Sequence, residues 1–342
     1  MATQDFSDIA DKVAHTGKID SADALAVRRA VYGDDGAIST AEAEALFAIE
    51  GARKVHCPEW SSLFVEALTD HVLNQQPLAG YLSEDNADFV QRQIERHKEP
   101  STDGDVELVT NIIEKAREVP AAFSAFALRL VKDAVIYADG PDAKGRPLGA
   151  GRVSEADVAL LSRILWGAGG EGLLAVSRDE AESLVAIADA TAGAENTEAF
   201  DDLFARAIGN YLLGATGRAV PPRETALRWE TEPGYKADVV GLLARVLENW
   251  SKALDPKFVA DTLGNLRSLG ENLEHELAAQ NLARDAADAV AAVMTPEKAG
   301  WLLEHIDKNG VMTTPEKALV RFVAREASAL DTSLAGAIAK VA

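Results

Sequence analysis

Gly36-Ala37-Ile38-Ser39-Thr40-Ala41-Glu42 is a glycine turn, one apolar anchor, a helix N-cap and, three residues after the cap, a carboxylate. The serine oxygen can accept from the amide three residues on, while the glutamate reaches back to the serine's own N–H. An acid there also faces the positive end of the helix dipole. Variants recur as Gly17-Lys18-Ile19-Asp20 to Asp23, Gly151-Arg152-Val153-Ser154 to Asp157, Val176-Ser177 to Glu180, and Gly310-Val311-Met312-Thr313 to Glu316. Such starts, repeated along the chain, predict a helical repeat protein.

Outward from these starts, residues 1–16 form a weakly helical lead-in. Helices are predicted from Ala22 to Tyr32, from Ser39 to about Ala52, and from Pro58, where Leu63, Phe64, Ala67, Leu68 and Val72 make one apolar stripe. Three more follow across Ser83–His97, Val106–Val119 and Pro120–Tyr137, the last opened by a proline suited to a first helical turn. The glycine- and proline-rich stretch Ala138–Gly151 then reads as a linker.

After it the pattern restarts. Ala22-Asp23 corresponds to Ala156-Asp157, Arg29 to Arg163 and Gly33 to Gly167; after a four-residue insertion, Ile38-Ser39 corresponds to Val176-Ser177. Leu63-Phe64 matches Leu203-Phe204, which makes the period roughly 135–140 residues. Helices at Asp238–Leu254, Pro256–Leu269 and Glu271–Val293 follow. Thr295-Pro-Glu-Lys-Ala299 then recurs as Thr314-Pro-Glu-Lys-Ala318, at the interval that separates Asp20 from Ser39. Either Thr313 or Thr314 could cap the last helix. The expected organisation is all-α, a duplicated multi-helix repeat with a third partial copy. Repeat 1 spans 1–138, a linker 139–151, repeat 2 152–232, a long-helix connector 233–293 and a partial repeat 294–342. Each copy holds a helix pair, at 18–52, 152–190 and 294–328.

Hydrophobic residues make up 47 % of the chain and aromatics only 6 %, an Ala- and Leu-rich balance that suits packed helices. Lys and Arg number 34 against 55 Asp and Glu, a formal net charge of −21. Such a surface repels phosphate backbones and anionic membrane leaflets and favours basic protein partners or cations, besides aiding solubility. No apolar run approaches the roughly 20 residues needed to span a bilayer. The single cysteine, Cys57, and an N-terminus without a signal-peptide pattern point to the cytoplasm.

Chemistry is sparse. Gly167-Ala-Gly169-Gly-Glu-Gly172 spells G-x-G-x-x-G, but it follows helical spacing at Val158, Leu161 and Leu165 rather than a strand. His56-Cys57 has no second ligand pair nearby, and His275-Glu276 has Ala279 where a second zinc-binding histidine belongs. His71 corresponds to Tyr211 in the second copy, which suits a packed position. No nucleophile–base motif is present, so no catalytic residue is assigned.

The turn between the last two helices is the most suggestive. His305 to Glu316 overlays the twelve-residue calcium loop of an EF-hand, with Asp307 and Asn309 at early oxygen positions, Gly310 at the turn and Glu316 at the closing acid. The candidate ligands of calcium or another divalent cation are Asp307, Asn309, Thr313 and Glu316, with Asp35 and Glu42 in the first loop. His305 stands where the pattern wants an aspartate. A glycine turn followed by a capping box accounts for the same residues without metal.

Helix, then Asp-Gly-x-apolar-Ser/Thr-x-x-Glu, then helix, resembles the TerB-like domains of the tellurite-resistance family. The resemblance covers the three helix pairs and implies compact helical domains whose acidic turn residues are associated with divalent cations. By position these are Asp35 and Glu42, Glu171 and Glu180, and Asp307 and Glu316; the second loop lacks the Asp of Asp-Gly. The expected function is a non-enzymatic acidic scaffold that binds proteins and is modulated by a divalent cation. The alternative is a weak cation sensor or TerB-like stress protein.

The capping boxes carry a direct test. Ser39→Ala and Ser177→Ala should each lower stability by about 1 kcal/mol in urea unfolding, and parent-like midpoints for both would show the caps to be misassigned.

Overall fold

The computed structural model describes residues 2–33, 36–75, 78–96, 103–137, 151–167, 176–214, 291–308 and 310–342. Thirteen α-helices lie among them: α1 (Ala2–Thr16), α2 (Ser21–Val31), α3 (Thr40–Ala52), α4 (Pro58–Leu73), α5 (Glu84–Glu95), α6 (Asp103–Lys115), α7 (Ala121–Tyr137), α8 (Glu155–Gly167), α9 (Arg178–Ala190), α10 (Glu198–Leu213), α11 (Pro296–His305), α12 (Thr314–Glu326) and α13 (Ala335–Ala339). The chain is all-α; three isolated parallel bridges are the only β-type pairings among the described residues. No helix among the described residues is long and apolar enough to cross a membrane. The predicted linker up to residue 150 and the helices expected between 238 and 290 lie outside the described residues.

The capping boxes form where the local pattern puts them. Ser39 N–H donates to Glu42 at 2.8 Å and Glu42 N–H to the Ser39 hydroxyl at 3.3 Å. Ser154 with Asp157 and Ser177 with Glu180 repeat this, and Asp20 with Asp23 does so with a carboxylate cap. In the last pair the cap is Thr313, because Glu316 stands three residues beyond it and accepts from its amide at 2.6 Å.

Each helix pair is closed at its base by backbone hydrogen bonds. Ile19 N–H donates to Val55 at 3.1 Å and Lys54 N–H to Gly17 at 2.7 Å. Leu82 to Glu118 and Arg117 to Gly80 repeat the arrangement around α5 and α6, and Met294 to Ala329 and Ser328 to Ala292 repeat it around α11 and α12. Around α8 and α9 the Asn196 side chain takes the place of one carbonyl, accepting from Val153 N–H at 2.9 Å, while Thr197 N–H donates to Val153 at 3.2 Å. The apolar anchor before each first cap, Ile19, Leu82, Val153 or Met294, is buried. This closure therefore occurs at four pairs among the described residues, one of them (α5 with α6) without a counterpart in the sequence comparison. It recurs at a shorter interval than 135–140 residues, from Gly17 to Gly80 to Gly151.

The described residues fall into two compact units. One holds α1–α8 with residues 182–197; the other holds residues 176–181, α10 and 291–342. In the first, α4 presents its predicted stripe inward, with Leu63, Phe64, Ala67 and Leu68 fully buried. Phe47 of α3 meets Phe64 edge-on at 5.5 Å and Phe89 of α5 at 6.0 Å. Each fully buried side chain of this size contributes about 1.5–3 kcal/mol. Helix α8, beyond the predicted linker, packs on α6 and α7, and Arg163 bridges Glu107 and Glu114 of α6 at 2.9 and 2.7 Å. The lead-in is a full helix: α1 buries Phe6, Ile9 and Val13, and packs on α2 and α3.

In the second unit α10 packs along α12, burying Phe200, Phe204 and Ile208 of α10 and Leu319, Val320 and Val323 of α12. Gly209 lies so close to Phe322 that a Cβ there would overlap the ring.

Gly80 sits at φ +87°, a left-handed conformation, and a methyl group added there would meet only ordinary van der Waals neighbours, whereas Gly300 lies in α11 with nothing within 4 Å. Gly80→Ala should thus cost about 1–2 kcal/mol through the backbone alone, while Gly300→Ala should stabilise by about 0.5–1 kcal/mol; urea unfolding of the two variants checks the opposite signs.

Candidate functional site

The predicted cation ligands divide by position. Asp35, Asn309 and Glu171 lie outside the described residues. Glu42 accepts from both the amide and the hydroxyl of Ser39, at 2.8 and 2.7 Å, and Glu180 accepts from the Ser177 amide at 2.7 Å. Both are engaged as capping acids.

At the last turn, Asp307 and Glu316 are brought together. Glu316 is buried and uses one oxygen on Thr313 N–H at 2.6 Å and the other on Asp307 N–H at 3.3 Å. Asp307 adopts φ +58°, a left-handed conformation that aspartate tolerates better than most residues. Its carboxylate pairs with the Lys340 ammonium near the end of the described chain. Arg321 secures the same segment through the Val341 carbonyl at 3.2 Å. His305 is turned away into an aromatic stack: its ring lies 4.2 Å from that of Trp301, and its Nδ1 is 2.7 Å from the Trp301 carbonyl. That contact requires the proton on Nδ1. Tyr211 of α10 completes the stack, edge-on to Trp301 at 4.9 Å. A cation at this turn would have to displace an ammonium and compete with two backbone amides for Glu316.

A second polar centre lies where α3, α4 and α6 meet. Glu50 is almost fully buried and accepts from Arg53 at 2.7 and 2.5 Å and from the Trp60 indole N–H at 2.7 Å. Arg53 also pairs with Asp103 and donates to His56 Nδ1 at 2.7 Å, which leaves the ring proton on Nε2, 3.7 Å from Asp103. Burial works against the Arg53 charge, but the paired carboxylates outweigh it and raise its pKa. Burial likewise pushes the Asp103 carboxyl up, yet the Arg53 guanidinium beside it holds it below its usual range. Gly104 admits the approach of Glu50: a Cβ there would collide with the carboxylate. Each charge already has a partner, so the arrangement joins helices rather than presenting an open reactive group. The sequence signal was a glutamate, Glu50, within the buried face of α3; Asp103, the second partner of Arg53, lies 50 residues further along the chain.

Between α3 and α5 runs an open groove of about 490 Å³. Phe47, Ala48, Gly51 and Ala52 form its α3 side, and Gln93 and Arg96 line the other, with Glu44 at the edge. Gln93 donates to Glu44 at 3.3 Å and accepts from Arg96 at 3.2 Å. Among the described residues no group of three or more His, Cys, Asp or Glu side chains is arranged to hold a metal ion.

No protein-family model matches the chain, and no curated protein or solved structure matches it.

Because the folded-state pKa of Asp103 is depressed, its pairing adds stability above the unfolded carboxylate range and loses it as pH falls through the folded pKa. Asp103→Asn should unfold at lower urea than the parent at pH 7, with the gap closing below about pH 4. A gap unchanged down to about pH 2 would mean that the carboxylate charge adds nothing.

Proposed function

We propose that this chain is a non-enzymatic acidic scaffold whose bracketed helix pairs carry surfaces for basic protein partners. The observation that carries this is the recurrence of one closing hydrogen-bond arrangement at four helix pairs on a chain of net charge −21. Helix pairs closed in one recurring way on a strongly acidic chain suit association with cationic surfaces, since charge complementarity speeds encounter and fixes orientation. The single cysteine fits a reducing cytoplasm.

A second reading is a weak divalent-cation sensor, as TerB-like stress proteins would suggest. It is favoured by the meeting of Asp307 and Glu316 at one turn. Lys340 opposes it as the competing cation, which places affinity at the weak end of EF-hand behaviour, on the order of 10⁻⁴–10⁻³ M.

Capture from a lysate with the full chain as bait, with calcium and with chelator, tests both. The scaffold predicts basic proteins retained beyond an equally acidic control bait and released as salt rises; retention equal to the control overturns it. For the sensor, terbium emission sensitised by Trp301 should be displaced by calcium and strengthened in Lys340→Ala. Silence in both proteins would leave the turn as a cap alone.

A further inference from the structure

We infer that the groove between α3 and α5 is a docking site for a basic amphipathic helix of a partner protein; this rests on the scaffold function proposed above. The α3 wall is built from one helical face, with Phe47 buried at its base and Ala48, Gly51 and Ala52 above it. Small side chains spaced in this way leave holes into which a bulky residue of another helix can insert, and they let the two backbones approach closely. The volume falls in the range of sites that accept discrete apolar anchors. Among the described residues no β-strand borders the groove, so strand addition has no edge there to extend, whereas a helix can lay successive i, i+3 and i+4 anchors along it.

Charge selects the occupant. Helix α3 carries Glu42, Glu44 and Glu50 and no Lys or Arg, and Glu50 is already neutralised by Arg53. Helix α5 carries Glu84, Asp85, Asp88 and Glu95 against Arg92. Arg92 lies 3.8 Å from Asp88 and Arg129 of α7 lies 3.3 Å from Glu95, while Arg96, hydrogen-bonded to the neutral Gln93 side chain, keeps its positive charge. With these pairings counted, Glu44, Glu84 and Asp85 still outnumber Arg96, so the two helices keep a small acidic excess around an apolar floor, which an incoming helix matches with Leu or Phe anchors on one face and Lys or Arg beside them. Glu44 is the acid at the groove edge itself, so it should dominate the electrostatic contribution.

The probe is a fluorescein-labelled Leu/Lys amphipathic peptide of about 20 residues, long enough to form several helical turns, titrated with the full chain by fluorescence anisotropy. A peptide of the same composition with its apolar stripe scrambled is the comparison. Binding should favour the amphipathic form, and Ala48→Leu, which fills the groove without disfavouring the helix, should weaken it by about tenfold. Glu44→Lys should weaken it similarly, while Glu195→Lys, the same charge change on an exposed residue elsewhere, should leave it within about twofold. Far-UV dichroism and melting establish that each variant is folded.

Equal binding of the two peptides, or equal losses in Glu44→Lys and Glu195→Lys with none in Ala48→Leu, would reduce the effect to diffuse charge and overturn the docking site. So would no binding at all. The lysate capture distinguishes the two levels: retained basic partners in Ala48→Leu together with any of these outcomes sink the groove and leave the scaffold standing.

Discussion

The structure depends on the backbone rung that closes each helix pair. A helix leaves amides unsatisfied at its start and carbonyls at its end. The caps serve the former, while the chain entering the first helix bonds to the chain leaving the second, so the backbone groups just outside both helices are satisfied at one place. The rung also fixes where the apolar anchor before the first cap must point. Ile19, Leu82, Val153 and Met294 are buried, and the cap follows directly at Asp20, Ser83, Ser154 or Thr295. Pro58 and Pro120 then come within three residues of the rung, where a missing N–H is harmless and the next helix can begin.

The acidic residues serve two different ends. Asp23, Glu42, Asp157, Glu180 and Glu316 lie in first turns and hold backbone amides. Hydrogen bonds of this charged kind are worth about 1.5–3 kcal/mol each, and a metal ion taking the same oxygens would forfeit them. Acids on the outer faces of α3 and α5 have no such duty and shape the field that a partner meets. Capping chemistry and ligand chemistry use the same residues at the same spacing. A turn that resembles a cation loop in sequence can therefore owe its acids to capping, although here Asp307 Oδ1 and Thr313 Oγ1 stay buried without a hydrogen-bond partner.

Helix starts were legible because a cap and its acid are three residues apart and need nothing else. The choice of Thr313 over Thr314 follows from Glu316 alone, once the box is required to close. Helix α1 fills the span read as a lead-in and carries Phe6, Ile9 and Val13 at helical spacing, but its polar first turns made it look weak; burial against α2 and α3 supplies what propensity does not. The pair α5 and α6 escaped because only Gly80, Leu82 and Ser83 carry its kinship with the others. The Glu50 centre could not be read at all, since its geometry exists only when α6 is placed against α3. Likewise, no local pattern gives Lys340 as the partner of Asp307, whereas the support of His305 by Trp301 is local, one helical turn away on the same face.

Closing each pair at its base makes the closure independent of how long the connection between its two helices is. The interval between caps is longer from Ser154 to Ser177 than from Asp20 to Ser39, yet both pairs end in a closed rung. Loop-closure entropy grows slowly with length, by about 0.6 kcal/mol per doubling. The tips are thus free to lengthen, shorten and diversify over evolutionary time while the base holds the architecture constant. New surface can be explored there one insertion after another, with the scaffold itself left untouched.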